Sequence, residues 1–166
     1  MTSEKTSSVA VVMGSDSDMA VMQSCIETLS TFGIEPVVRI ISAHRTPQIA
    51  ADFADNAAKK GIKVIIAAAG MAAHLAGALA GRTTLPVIGV PLVATGLGGI
   101  DSLLSTIQMP PGVPVAAMAI GKAGAKNAAI FAVQILALSD KTLAEKLEDF
   151  KKSQEKKVIE KDSALQ

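Results

Sequence analysis

Hydrophobic residues recur along the chain in two alternating patterns. Short runs rich in Val and Ile are typical of buried β-strands, and each is followed by a longer stretch whose apolar residues repeat with helical spacing. The runs predict strands over residues 9–13, 36–41, 63–68, 86–90 and 114–119. The intervening stretches predict helices over residues 18–32, 47–60, 72–80, 100–108 and 122–138. This alternation favours a parallel sheet with helices on both faces, a three-layer α/β/α sandwich.

Local signals support several of these boundaries. Thr46 precedes Pro47, which predicts an N-cap followed by proline at the first helical position. Gly33 and Gly61 follow two of the helical stretches and predict the ends of those helices. Clusters of glycine and proline between the other elements predict loops within one domain rather than linkers between domains, because apolar elements resume at once on both sides.

The chain is 166 residues long and fits a single domain. We expect the α/β core to occupy about residues 8–138 and an extra C-terminal helix to occupy residues 139–157. Residues 1–7 and 158–166 are expected to be flexible tails.

The C-terminal segment differs in character from the core. Its charged residues alternate in sign, and Leu143, Leu147 and Phe150 have the spacing of one narrow apolar stripe on a helix. Such a stripe on a polar helix suits packing against a neighbouring subunit. A solvated, partly frayed tail is the alternative.

Charge and hydropathy exclude several classes of partner. The 16 basic and 15 acidic residues give a net charge of +1, so no global field would attract nucleic acid or a membrane. Residues 64–81 are apolar enough to raise the question of a membrane span, but Ala and Gly dominate them and His74 lies in their middle. The amino end lacks the apolar core of a signal peptide, and the one cysteine, Cys25, cannot form an internal disulfide. We therefore expect a cytoplasmic protein.

The hydrophobic content also predicts how the core is built. Hydrophobic residues make up 49% of the chain, whereas aromatic residues make up 2%. The core must therefore consist of small and aliphatic side chains that pack closely. So high an apolar content in a short chain also indicates that apolar surface is covered between subunits, which predicts a homo-oligomer.

The two histidines supply the main candidate chemistry. In an open parallel sheet, ligands bind at the carboxyl ends of the strands. His44 follows the second predicted strand and His74 follows the third, so both lie at this edge. Because histidine titrates near neutral pH, the pair predicts a proton-transfer site. A structural role is the alternative, more so for His74 than for His44, which lies in a polar loop.

The loops around these histidines favour a phosphate-containing ligand. The first loop leads into a predicted helix, whose free N–H groups and the hydroxyls of Ser15 and Ser17 could bind an anion. Asp18 could accept hydrogen bonds from a sugar diol or serve as an ordinary N-cap. Arg45 could bind phosphate oxygens or form a surface salt bridge.

Missing motifs narrow the class further. No GxGxxG follows the first strand and no GxxxxGK[ST] occurs, so neither a dinucleotide fold nor a P-loop is indicated. With 2 His and 1 Cys, the chain offers few of the ligands that a transition-metal site prefers. All four Phe residues fall in predicted helices, which disfavours flavin stacking, and the third strand lacks the aspartate of a phospho-receiver. We expect no metal and no cofactor.

Six segments together resemble the purE family of N5-carboxyaminoimidazole ribonucleotide mutases. They are MGSDSDM, SAHRTP, GMAAHLAG, LPVIGVPL, GIDSLLSTIQMPPGVPV and AIGKAGAKNAA. They are distributed over residues 13–129, and SAHRTP at this spacing from MGSxSD is a specific signal. The resemblance implies a flavodoxin-like sheet, a homo-octamer with the nucleotide substrate at subunit junctions, and a mutase of de novo purine (IMP) biosynthesis that uses no ATP, metal or biotin.

The resemblance also implies roles for individual residues. Ser15 and Asp18 are expected to contact the substrate, Ser42 and Arg45 to contact its phosphate, and His44 to act as the catalytic acid and base. Gly70 and His74 are expected to close around the carboxylate.

The chain departs from the family pattern at two positions. Met71 stands where a second glycine is usual, and Ala76 where a proline is usual. Two alternative functions remain open at this point: a carboxylase of the same family that uses free CO2, and a non-catalytic nucleotide-binding or scaffold oligomer.

Overall fold

The computed structural model describes residues 7–165 of the chain. Five parallel strands form one sheet in the order β2-β1-β3-β4-β5. Their bounds are β1 Val9–Met13, β2 Val37–Ile40, β3 Val64–Gly70, β4 Val87–Leu92 and β5 Ala116–Ala117. The predicted strands thus all form, although β5 is much shorter than the run that predicted it.

Residues 7–165 form six helices, of which the first five flank the sheet and the sixth packs on the first and the fifth. They are α1 Met19–Thr31, α2 Pro47–Ala57, α3 Leu75–Ala80, α4 Ile100–Ile107, α5 Lys122–Ala137 and α6 Lys141–Ser163, with 3₁₀ turns at Asp16–Asp18 and Ala58–Lys60. Gly33 and Gly61 both adopt a φ of +82°, which confirms the predicted helix ends.

Alternate residues of β1 enter two separate cores. Val9, Val11 and Met13 pack with α1 and α5, whereas Ala10 and Val12 pack with α2 and α3. Both faces of the central strands are therefore buried, as a parallel sheet requires. This arrangement confirms the predicted α/β/α sandwich and its flavodoxin-like sheet.

Small side chains allow the helices to approach closely, as the composition predicts. Ala125, Ala128, Ala129 and Ala132 of α5 are fully buried against α1 and the sheet. At Gly124 a Cβ atom would collide with the backbone carbonyl of Ala119, so only glycine fits there. The core thus gains contact area from close backbone approach.

The C-terminal helix differs from its prediction in two ways. Leu143, Leu147 and Phe150 pack against the chain's own α1 and α5 core rather than forming an open stripe, and packing of the helix on a neighbouring subunit stays a prediction. The rings of Phe32 and Phe150 meet edge to face at 5.6 Å, and Lys146 Nζ donates to the Phe32 carbonyl at 2.8 Å. The helix thus folds back onto apolar surface of its own chain.

The helix is also longer than predicted. It continues to Ser163, beyond residue 157, and its last turns are exposed. The predicted tails therefore need correction at the carboxyl end, whereas residues 1–6 and 166 lie outside the described residues.

The predicted start of α2 at Pro47 is confirmed but its side-chain cap is not formed, and the predicted start of the third helix was wrong. Thr46 precedes α2 but its side chain does not cap that helix; Oγ1 instead donates to the Ser42 carbonyl and accepts from the Ser42 N–H. The third helix begins at Leu75 rather than at residue 72, because residues 71–74 form a turn. Residues 64–81 are thus a strand, a turn and a short helix, and none of the helices within residues 7–165 is long and apolar enough to cross a membrane.

Candidate active site

The loops after β1, β2, β3 and β4 meet at the carboxyl edge of the sheet and enclose a cavity of about 480 Å³. The cavity is lined by all of the site residues predicted from the sequence, which are Ser15, Asp18, Ser42, His44, Arg45, Gly70 and His74. The structure therefore brings the candidate residues together, while their individual roles stay predictions.

The first loop is held by a capping box. Ser15 Oγ accepts from the Ser17 N–H at 3.4 Å, and Asp18 Oδ2 accepts from the Ser15 N–H at 3.0 Å. Burial raises the pKa of Asp18, and hydrogen bonds from Ser15 and Gly14 oppose this effect. Asp18 thus occupies the N-cap position of α1 without a side-chain cap bond to that helix, and its carboxylate instead closes the box of the preceding turn.

The second loop is built around Ser42. Its Oγ accepts from the Arg45 backbone N–H at 3.1 Å and lies 3.4 Å from Arg45 Nε. Thr46 closes the same turn through the two hydrogen bonds to Ser42 described above. The loop is therefore a compact turn that fixes where His44 and Arg45 leave the backbone.

Arg45 links the first two loops. Its Nη2 donates to the Gly14 carbonyl at 2.9 Å. Within residues 7–165 it makes no ion pair with a carboxylate, so the surface salt bridge that the sequence left open is not formed. An exposed guanidinium that is positioned by a carbonyl and a hydroxyl keeps N–H groups available for an anion.

The two histidines contact each other directly. His44 Nε2 lies 2.8 Å from His74 Nδ1, and the rings meet edge to face with centroids 4.9 Å apart. One nitrogen must donate a proton and the other must offer a lone pair, so at least one ring is neutral while this bond lasts. The two facing nitrogens therefore share one proton in this hydrogen bond.

The loop after β3 carries the least favourable backbone of the site. A Cβ atom at Gly70 would lie 2.6 Å from the Ala94 Cβ, so this wall admits only glycine. The next residue, Met71, has a φ of +56°, a left-handed conformation that costs a side chain with a Cβ about 1 kcal/mol or more. Met71 is also 56% exposed at the cavity.

Several lining residues could not be found from the sequence. Ala43, Ala69, Ala72, Leu75 and Ala94 complete the cavity wall, and none carries a functional group that marks it. No three His, Cys, Asp or Glu side chains cluster as metal ligands in the part of the chain that the structure describes.

Comparison with known proteins places this geometry in context. A family model described as AIR carboxylase matches residues 8–157. A relative from Escherichia coli (strain K12), named N5-carboxyaminoimidazole ribonucleotide mutase, is 51% identical over 152 residues, which is 92% of this chain and 90% of that protein. Relatives of the same name from Saccharolobus solfataricus and Bacillus subtilis are 52% and 48% identical and cover 91% and 95% of this chain, with 94% and 97% of their own lengths.

The fold is shared with a solved structure as well. The crystal structure of Treponema denticola PurE superimposes with a TM-score of 0.86 at 33% identity, covering 95% of this chain and 98% of that chain. The similarity thus extends over the sheet, the site loops and most of α6.

Proposed function

The chain belongs to the AIR carboxylase family, and we propose that it interconverts N5-carboxyaminoimidazole ribonucleotide and 4-carboxy-5-aminoimidazole ribonucleotide in de novo purine (IMP) biosynthesis. It is a mutase, an isomerase that moves a carboxyl group within its substrate. The cavity that joins His44 to a phosphate-binding arginine carries the proposal, because the reaction needs one proton-transfer group beside an anchored ribonucleotide.

The substrate is anchored by the first two loops. Asp18 contacts the ribose of the nucleotide, and Ser42 and Arg45 contact its phosphate, with the Ser15 hydroxyl beside them at the phosphate end. This assignment follows the donors available at the cavity: the hydroxyls and the Arg45 guanidinium suit an anion, and the Asp18 carboxylate suits a diol.

His44 moves one proton twice. In the first half it donates a proton to the carbamate nitrogen as the N–C bond breaks, which releases CO2 and leaves aminoimidazole ribonucleotide. In the second half the ring carbon attacks the trapped CO2, and neutral His44 removes the proton from that carbon. The proton count and the charge balance over the cycle, so the reaction needs no oxidant and no phosphoryl donor.

His74 and Gly70 form the wall around the migrating carboxyl group. The hydrogen bond between the histidines orients His44, and the missing side chain at Gly70 leaves room for CO2 beside Ala94. Exclusion of water from this space keeps CO2 close to the ring carbon.

The assembly belongs to the same proposal. Large apolar side chains are exposed along the β4 loop and α4, namely Val93, Leu97, Ile100, Leu104 and Ile107, and others line the edge strand β2 and the start of α2, namely Val38, Ile40 and Ile49. Surfaces of this kind are normally covered by another subunit. A cytoplasmic homo-octamer with the site at subunit junctions fits them and agrees with the family.

Turnover in an isotope experiment tests the function. The protein is given N5-carboxyaminoimidazole ribonucleotide without ATP in buffer that contains ¹³C-bicarbonate, and the product is followed by NMR. A mutase forms the C-carboxylated product with mainly unlabelled carboxyl, whereas the alternative carboxylase incorporates label from free CO2. Binding of the substrate with no product would leave only the scaffold alternative.

A further inference from the structure

The Asp16 carboxylate occupies a position at the predicted phosphate end of the site. Its Oδ1 accepts from Ser15 Oγ–H at 3.0 Å. Asp16 also lines a second cavity, of about 320 Å³, together with Ser15, Ser42 and Arg45, which are shared with the main cavity. An anionic side chain therefore lies among groups that suit an anionic ligand.

The surroundings keep this carboxylate charged. The hydrogen bond from Ser15 is the main cause that lowers the pKa of Asp16, followed by backbone N–H groups of Ser17 and Asp16 itself, and the nearby positive charge of Arg45 contributes least. Asp16 is consequently a full negative charge at neutral pH. It is also exposed, so water surrounds the side of the carboxylate that faces away from the loop.

We propose that Asp16 is an internal anion that competes with the substrate phosphate for Ser15 and for the field of Arg45, and so weakens phosphate binding. The proposal rests on the proposed function in that it takes the phosphate to bind at this end of the cavity. When the phosphate arrives, Asp16 turns outward and gives up the Ser15 hydroxyl.

The loop tolerates this movement because another residue holds it. The Asp18 carboxylate keeps its bond to the Ser15 N–H, and Arg45 keeps its bond to the Gly14 carbonyl, so neither contact depends on Asp16. Outward rotation gives up the Ser15 hydroxyl, which phosphate takes over, and the weaker interactions with the backbone N–H groups of Ser17 and Asp16, which water can replace. The remaining cost is the repulsion between two exposed anions, which salt screens.

Asp16→Asn isolates this charge. Asparagine has nearly the same size and still accepts from Ser15, so the loop is preserved while the charge is removed. Asp149→Asn on α6 is the matched control, because Asp149 is exposed, is remote from the site and loses the same charge. The dissociation constants of ribose 5-phosphate, inorganic phosphate and ribose are measured by calorimetry at low and high salt.

Asp16→Asn should bind ribose 5-phosphate and inorganic phosphate roughly three- to tenfold more tightly at low salt, a gain that shrinks at high salt. Ribose affinity should not change, and Asp149→Asn should match the wild type. Three outcomes would overturn the proposal. Asp16→Asn could bind phosphate no more tightly than the wild type, Asp149→Asn could show the same gain in phosphate affinity, or no variant could bind phosphate.

Mutase turnover of the wild type, measured in parallel, separates this inference from the proposed function. If the wild type is active but Asp16→Asn gains no phosphate affinity, the role of Asp16 is refuted and the mutase function is retained. A gain in phosphate affinity with an inactive wild type retains the role of Asp16 and removes the mutase function.

Discussion

The contact between the two histidines can be dissected because it uses different ring nitrogens. His74 contributes Nδ1, the near nitrogen, whose position an asparagine amide atom can occupy. His44 contributes Nε2, the far nitrogen, which glutamine can reach but asparagine cannot. His74→Asn and His44→Gln therefore preserve a hydrogen bond, whereas His74→Leu and His44→Asn remove it.

The expected magnitudes differ between the two positions. His44→Gln and His44→Asn both lose the proton-transfer group, so turnover should fall about 10²–10⁴-fold with substrate binding largely retained. His74→Leu should lose about fivefold in turnover, which corresponds to one hydrogen bond of ~1 kcal/mol, and His74→Asn should lose less.

Single-turnover kinetics and equilibrium substrate binding, measured for all four variants, test this assignment. An active His44→Gln or His44→Asn enzyme would refute His44 as the acid and base, and His74 would become the first candidate. A loss in His74→Asn as large as in His44→Asn would also refute the reasoning, because it would give His74 a chemical role rather than an orienting one.

Three further predictions concern stability and access. Met71→Gly should raise the melting temperature by a few degrees, since removal of the left-handed strain gains about 1 kcal/mol, and a lower value in thermal denaturation would show that Met71 contacts outweigh it. Phe150→Ala should destabilise the fold by about 2 kcal/mol in urea without changing the oligomer mass, because Phe150 packs on Phe32 of its own chain; a lower mass in light scattering would place it between subunits. Burial raises the pKa of Cys25 to about 12, so a thiol reagent should label it only after denaturation, and rapid labelling of the native protein would contradict its burial.

The fold was predictable because its signals are local and repeated. Every strand run and helical stretch in the sequence corresponds to an element, since burial on both faces of a parallel sheet leaves an apolar run that is easily identified. The errors occurred where tertiary contacts determine which surface an element packs against. The stripe of α6 could equally cover a neighbouring subunit or its own chain, and spacing alone does not distinguish these surfaces.

The location of the site could be predicted from the sequence, but the contacts between its side chains could not. The rule that ligands bind at the carboxyl edge placed His44, Arg45 and His74 in one region, and all of them line the cavity. Which ring nitrogens meet depends on side-chain rotamers, which no sequence pattern encodes. The contact of Asp16 is equally hard to predict, because Asp16 and Asp18 both bond to Ser15, and the sequence does not show which carboxylate accepts from its hydroxyl and which from its N–H.

The proposed assembly would affect the proposed chemistry at the mouth of the site. His44 and His74 are exposed in the single chain, yet the proposed reaction must keep a small neutral CO2 molecule close to the ring carbon. Val93 and Leu97 are exposed on the loop that supplies Ala94 to the cavity wall, so a subunit covering them would also narrow the opening. Dilution into dissociated chains should therefore raise the share of aminoimidazole ribonucleotide and free CO2 among the products. If the product ratio stays constant while the mass falls, the single chain retains CO2 unaided and the neighbouring subunit contributes stability only.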